Sequence, residues 1–211
     1  MSTEANLKKQ NTPYLWTFFM FNAIIFLALF FASYFDTILD NYNEMLNLRS
    51  SGILAAPLIL FIINGLLSSN QKAILVFWRL KHPLPGSRAF SVHGLKDTRV
   101  DMIQIANAHY PLPTTPESQN ALWYKLYKKN SSDVVVQKSH KDFLLARDLV
   151  AMCFLYIICT ALPMFFIGKW PLNLFYFFFL VVEYFILIRV AQNHGRSFVC
   201  NVLAIESAKE I

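Results

Sequence analysis

Glu183 is the residue whose chemistry most needs an account. It is the one ionisable acid deep inside a long apolar run, Leu172 to Ala191. A charged carboxylate in hydrocarbon is costly. A carboxyl kept there marks an ion or proton path, a gate, or a hydrogen bond that locks helices together. Three further apolar runs each carry one comparable polar group: Asn22, Asn64 and Tyr156. At a helical rise of about 1.5 Å per residue, all four fall roughly 8–14 Å from the same side. The expectation is a hydrogen-bonded polar layer formed by Asn22, Asn64, Tyr156 and Glu183.

A second constellation lies in Asn120 to Lys129. On a helix, Leu122, Trp123, Leu126 and Tyr127 share one broad arc, and Lys125, Lys128 and Lys129 occupy much of the other. Rings beside lysines suit three roles. The arc packs on neighbouring helices, or the helix lies against anionic lipid. Alternatively it binds a protein or nucleic-acid partner, with rings for stacking and lysines for phosphate. Trp123, Tyr124, Lys125, Tyr127, Lys128 and Lys129 are the candidate partner or lipid contacts.

Other chemistry has little support. His82, His93, His109, His140 and His194 are scattered, without metal-ligand spacing, and His140-Lys141-Asp142 points to different faces of a helix. No phosphate-binding loop, nucleophile elbow, zinc-protease motif or dinucleotide fingerprint occurs. Cys153, Cys159 and Cys200 read as buried small apolar residues, not a disulfide framework. No residue is assigned to catalysis, a cofactor or a metal, and no enzyme is expected.

The elements that must position these residues are apolar helices. The chain is 55% hydrophobic, and its apolar residues fall in runs rather than being spread periodically. The runs are Tyr14 to Phe35, Gly52 to Ser69, Leu149 to Gly168 and Leu172 to Ala191. Each approaches the roughly 20 helical residues that cross a bilayer. Backbone groups in lipid must bond within their own segment, and strand alternation is missing, so the spans are helices. The predicted fold is an all-α integral membrane protein with four transmembrane helices and a helical cytoplasmic insert between spans two and three.

Charge orients the spans. Of 19 Lys and Arg, only Arg49 and Lys169 fall in the loops on one side, and Asp36, Asp40 and Glu44 accompany Arg49. Lys8, Lys9, Lys72, Arg79, Lys81, Lys138, Lys141, Arg147 and Arg196 flank the spans on the other. Both termini and the insert are therefore expected in the cytoplasm. The order is a cytoplasmic N-terminus (1–13), two spans (14–69), the insert (70–148), two spans (149–191) and a cytoplasmic tail (192–211). The short Gly168–Pro171 turn makes spans three and four neighbours, and Asp148 and Arg189 are expected to form a structural ion pair.

Within the insert, span two should continue as helix to near Lys81, where His82-Pro83-Leu84-Pro85-Gly86 breaks it. Arg88 to Asp97 reads as loop, and Arg99 to Ala108 as a short helix. Thr115-Pro116 starts a helix ending near Lys129. Ser132-Asp133 opens a long helix that continues into span three. So small an insert has little core of its own and should pack on those extensions, another subunit or a partner.

Three stretches carry a resemblance: Leu84-Pro-Gly-Ser-Arg-Ala-Phe-Ser91, Gln119-Asn-Ala-Leu-Trp-Tyr-Lys-Leu-Tyr127 and His140-Lys-Asp-Phe-Leu-Leu-Ala-Arg-Asp148. They resemble a pattern in small bacterial inner-membrane proteins. The overall plan is similar to the multi-pass membrane subunits of anti-phage systems of retron or Kiwa type. That resemblance implies a membrane protein working with a cytosolic protein or protein–nucleic acid complex. With the long helix extensions, the aromatic–lysine helix and the polar layer, the leading expectation is a non-enzymatic inner-membrane effector that such a partner holds and that acts on the membrane barrier. The resemblance transfers no functional residue and leaves direct nucleic-acid contact open. A scaffold or sensor recruiting a soluble partner, and a small transporter, are the competing expectations. Homo-oligomerisation is expected in the bilayer.

Overall fold

A computed structural model describes residues 3–40, 59 and 62–209. The described residues are helical, with no strand among them. Helix α1 spans Thr3–Asp40, α2 Ser69–Phe77, α3 Met102–Ala108, α4 Pro116–Lys129, α5 Val134–Tyr156, α6 Leu162–Ile167 and α7 Leu172–Ser207. Among the described residues, three helical stretches are long and apolar enough to cross a membrane: Asn6–Ala32, Val134–Phe166 and Leu172–Ser207. The second apolar run, 52–69, lies largely outside the described residues, as do Glu44 and Arg49.

Several starts and stops follow local chemistry. The Thr115 hydroxyl accepts from the Ser118 N–H, with Pro116 in the first turn of α4. Asp133 caps α5 by accepting from the Val135 and Val136 amides at 2.8 and 3.2 Å. Asp101 does the same for α3 through Ile103 and Gln104.

Three expectations shift. The helix expected from Arg99 begins at Met102, after the Asp101 cap. The helix entering the insert stops at Phe77, not Lys81, and residues 67 and 68 separate it from the helical stretch at 62–66. The Trp78 amide still bonds to the Ile74 carbonyl, but Trp78 itself takes φ 52° and His82 φ 50°. A left-handed residue ends a helix, and glycine or asparagine usually fills that place, so nothing in the sequence marked it. Arg88 to Asp97 is not loop. Pro85–Arg88 forms a 3₁₀ turn, Ala89–His93 a π-turn and Gly94–Lys96 a further helical turn.

The long helix from residue 134 is present, with one wide turn in it, the π-turn Ile157–Ala161. Pro163 follows two residues after it. It lacks an N–H and crowds the carbonyl four residues back, and a wider turn relieves that crowding. The Gly168 turn before α7 leaves no room for a side chain: a Cβ there would meet the Met164 carbonyl at 2.6 Å.

The chain divides into two compact units. The first comprises residues 1–11, 69–147 and 188–211. Its core gathers Phe90, Ile105, Trp123, Leu126, Val136 and Phe198 with their neighbours. The insert therefore shares a core with the C-terminal part of α7, which is helix to Ser207. From Gln192 onward α7 is no longer uniformly apolar. Phe198, Val199, Val202 and Leu203 face inward, while Arg196 and Ser197 are exposed.

Gln119 ties the 85–93 turns to α4. Its Oε1 accepts from the Phe90 and Ser91 amides and the Ser91 hydroxyl at 3.1–3.2 Å, and its Nε2 donates to the Thr114 carbonyl. Gln119→Leu keeps the volume and leaves two backbone amides unpaired. It should cost about 2 kcal/mol, read as a lower midpoint in thermal unfolding of the full chain in detergent.

The second unit comprises residues 12–68 and 148–187. Phe19, Phe26, Met152, Tyr156, Tyr176 and Leu180 are among its buried residues. Phe21, Ile24 and Phe31 of α1 and Phe175, Phe178, Val182, Phe185 and Ile186 of α7 are exposed.

Candidate functional site

The polar layer sits within the second unit. Tyr156 is fully buried, and its hydroxyl donates to the Phe19 carbonyl at 2.7 Å. Asn22, also fully buried, bonds through Nδ2 to the Phe18 carbonyl at 3.3 Å, and its side-chain amide faces the Glu183 carboxylate. The Cys153 thiol lies 3.6 Å from both Glu183 Oε2 and the Leu180 carbonyl. Asn64 is buried. The Oδ1 atoms of Asn22 and Asn64 are buried without a hydrogen-bond partner.

The layer extends beyond the residues singled out from the sequence. Thr160 Oγ1 lies 2.6 Å from the Tyr156 carbonyl and 2.7 Å from the Tyr176 hydroxyl. Tyr176, Leu180 and Glu183 share one face of α7, and Thr160 stands four residues after Tyr156. Those helical spacings were the available signal for Thr160, Tyr176 and Cys153. Chemically the layer is two clusters, Asn22 with Glu183 and Cys153, and Tyr156 with Thr160 and Tyr176. Each is also bonded to main-chain carbonyls, while the Asn22 and Asn64 Oδ1 atoms close on nothing. Most of its bonds join α1, the π-turn region and α7, the arrangement of an interhelical tie.

In the first unit, α4 divides into two faces. Trp123, Leu126 and Tyr127 are buried, so Trp123 and Tyr127 are withdrawn from any partner surface. Their rings stack at 5.9 Å and both meet Phe198 edge-on, at 5.1 and 5.3 Å. His140 stacks on Phe198 at 4.7 Å, and its Nδ1 lies 3.1 Å from the Tyr127 hydroxyl, so it serves packing. Tyr124, Lys125, Lys128 and Lys129 remain on the outer face. Lys128 Nζ sits 5.2 Å from the Tyr124 ring centroid and 5.4 Å from that of Tyr127. Lys129 is engaged at 2.7 Å by Glu206.

Positive potential gathers elsewhere in this unit. Burial, then the charges of Arg88, Arg196, Lys96 and Arg79, hold His93 neutral and bring its pKa down to about 4. Asp97 is chelated by Arg99 at 2.7 and 3.0 Å, which lowers its carboxyl to about 2. Asp148 stands on α5 in the second unit and Arg189 on α7 in the first, where Arg189 is exposed.

No family model matches the chain, and neither the curated proteins nor the solved structures yield a match.

Proposed function

We propose that the chain is a non-enzymatic adaptor of the bacterial inner membrane. Its apolar helices are the anchor, and its first unit is a cytosolic body that docks a soluble protein or protein–nucleic acid complex. The carrying observation is the polarity of the second unit. Five of its polar side chains, Asn22, Asn64, Tyr156, Thr160 and Tyr176, are buried and Glu183 is half-buried, while rows of phenylalanine and branched aliphatics are exposed. That inversion suits a lipid solvent and would be unstable in water. In this reading residues 52–69 supply a fourth crossing, and both termini and the insert lie on the cytoplasmic side, as the cationic flanks require.

The docking surface is the outer face of α4. Tyr124 is 48% exposed there, with Lys125 and Lys128 beside it. Affinity capture of the full chain from its native membrane should recover a specific cytosolic complex. The combined variant Tyr124→Ala, Lys125→Glu, Lys128→Glu should lose that complex at least tenfold while inserting normally. Undiminished capture by the variant removes this surface from the proposal.

A second reading has one observation in its favour, the Glu183 carboxyl within an apolar run. It makes the chain an effector, as in anti-phage defence, that disturbs the barrier when its partner releases it. On the adaptor reading, expression without the partner leaves membrane potential unchanged. Depolarisation by the wild type, abolished by Glu183→Gln, decides for the effector.

A further inference from the structure

Three elements of the first unit meet just beyond the apolar run of α7, which ends at Ala191. In the next turn Gln192 Nε2 donates to the Val76 carbonyl at 2.9 Å, and a Cβ on Gly195 would meet the Phe77 ring at 2.8 Å. The end of α2 is thereby held against α7. One turn further, the Cys200 thiol lies 3.6 Å from the His93 carbonyl, which brings in the Ala89–His93 turn. Arg88 joins the first element to the third, its Nη2 donating to the His82 carbonyl at 3.4 Å.

Cations line this junction. After burial, the charges of Arg88, Arg196, Lys96 and Arg79 are what keep His93 neutral at its centre. Arg79, Lys96 and Arg196 are exposed. Among the described residues, none of these three has a carboxylate partner. Two nearby acids are already engaged: Glu117 lies 3.0 Å from His82, and Arg99 chelates Asp97. A cation cluster left uncompensated attracts an anion from outside the chain.

Large apolar side chains stand among the cations. Trp78 is 61% exposed, Leu80 84% and Leu95 67%. They alternate with charge along the chain, in Trp78-Arg79-Leu80-Lys81 and Leu95-Lys96. Left-handed backbone at Trp78 and His82 bounds the first of these stretches. Non-glycine residues hold that conformation at a cost, and such strain gathers at ligand clamps.

Depth decides what the anion is. Arg196 stands five residues past Ala191 on one continuous helix, a rise of about 7–8 Å. The headgroup layer outside the hydrocarbon is about 5–8 Å thick on each side. A soluble anion would satisfy the cations and leave Trp78 and Leu80 in water. A lipid answers both.

We infer that this patch binds an anionic phospholipid of the leaflet from which α7 emerges. Its phosphate lies among Arg79, Arg88 and Arg196, and its acyl chains run beside Trp78 and Leu80. Guanidinium forks match phosphate oxygens, and tryptophan settles at headgroup level. Basic pockets beside membrane helices take such headgroups. The inference rests on the reading of α7 as a membrane anchor and makes no use of the outer face of α4.

The test reconstitutes the full chain in phosphatidylcholine bilayers holding a minor fraction of phosphatidylglycerol with brominated acyl chains. Bromine quenches an indole that it touches, and the Trp78 signal is the difference between wild type and Trp78→Phe. Its quenching should be at least fivefold stronger than with the same fraction of brominated phosphatidylcholine. The variant Arg79→Gln, Lys96→Gln, Arg196→Gln changes only exposed side chains and should bring it down to the phosphatidylcholine level. Lys138→Gln with Lys141→Gln removes cations elsewhere in the unit and should leave it unchanged. Equal quenching by the two lipids, undiminished quenching in the first variant, or an equal loss in both variants overturns the inference. So does displacement by millimolar inorganic phosphate or micromolar single-stranded RNA, which assigns the cations to a soluble anion. Carbonate extraction of the same vesicles separates the two readings. A chain that carbonate removes overturns the anchor and this inference together, and an inserted chain without lipid preference overturns this inference alone.

Discussion

Phe198→Ala should lower the stability of the full chain in detergent by about 4 kcal/mol, the largest effect expected of a single substitution. Phe198 is 3% exposed and touches four other rings. Trp123 and Tyr127 meet it edge-on, His140 stacks on it, and Phe143 lies at 6.3 Å. Truncation loses the transfer free energy of a whole ring and leaves a hole that rigid aromatic neighbours fill poorly. It also strips each of those neighbours of a favourable ring contact. Phe198→Leu, which keeps most of the volume, should lose less than half as much. Near-UV circular dichroism during thermal unfolding would follow both variants. A Phe198→Ala midpoint close to wild type would show that this ring cluster does not hold the first unit together.

Glu206→Ala should cost about 3 kcal/mol and remove an acid transition. The Glu206 side chain is 5% exposed and receives hydrogen bonds from Lys129 Nζ at 2.7 Å and Asn130 Nδ2 at 2.9 Å. His109 Nε2 lies at 3.3 Å and Lys209 Nζ at 3.6 Å. Lys209 also bonds to Asn130, so the carboxylate sits at the hub of a clasp on the end of α7. Glu206 lies well past Ala191, where the apolar run of that helix ends. Burial alone would raise its pKa, but the Lys129 and Asn130 hydrogen bonds and the Lys129 and Lys209 charges outweigh burial and bring it from 4.5 to about 2. A depressed folded-state value stabilises the protein above the unfolded-state value. That contribution is whole above about pH 5, and it is lost as pH falls through the window from 4.5 to about 2. Unfolding midpoints from pH 7 down to pH 2 should therefore fall more gently in Glu206→Gln than in wild type. Parallel profiles would mean that some other carboxylate sets the acid limb.

Where structure follows from neighbouring residues, the sequence was legible. Thr115 with Pro116 starts a helix by local capping alone, and the breakerless stretch after Asp133 commits to one long helix. Long apolar runs imply helices whichever neighbours they meet. The assignment of rings and lysines around α4 to opposite faces also followed from periodicity.

What failed depends on partners far along the chain. Trp78 ends its helix in a conformation that no local residue type announces. Gln119 looks like an ordinary polar residue until the Phe90 and Ser91 amides arrive from 28 and 29 positions away. For Trp123 and Tyr127 the sequence favoured packing on neighbouring helices but left contact with lipid or a partner open. Phe198, 71 or more positions further on, settles them in the core. The stripe of Phe198, Val199, Val202 and Leu203 did carry a signal. Its helical spacing marks a buried face in a segment otherwise passed over as a tail.

Tyr156 and Gln119 have one habit in common: each grips main chain, and Gln119 adds only the Ser91 hydroxyl from a side chain. The Phe19 carbonyl and the Phe90 and Ser91 amides are supplied by almost any residue placed there. Such a grip puts the evolutionary constraint on one partner and leaves the other able to drift. Divergent descendants of this chain should therefore keep the tyrosine and the glutamine while their opposite numbers change identity. A search weighted toward pairs of covarying side chains would overlook that kind of inheritance.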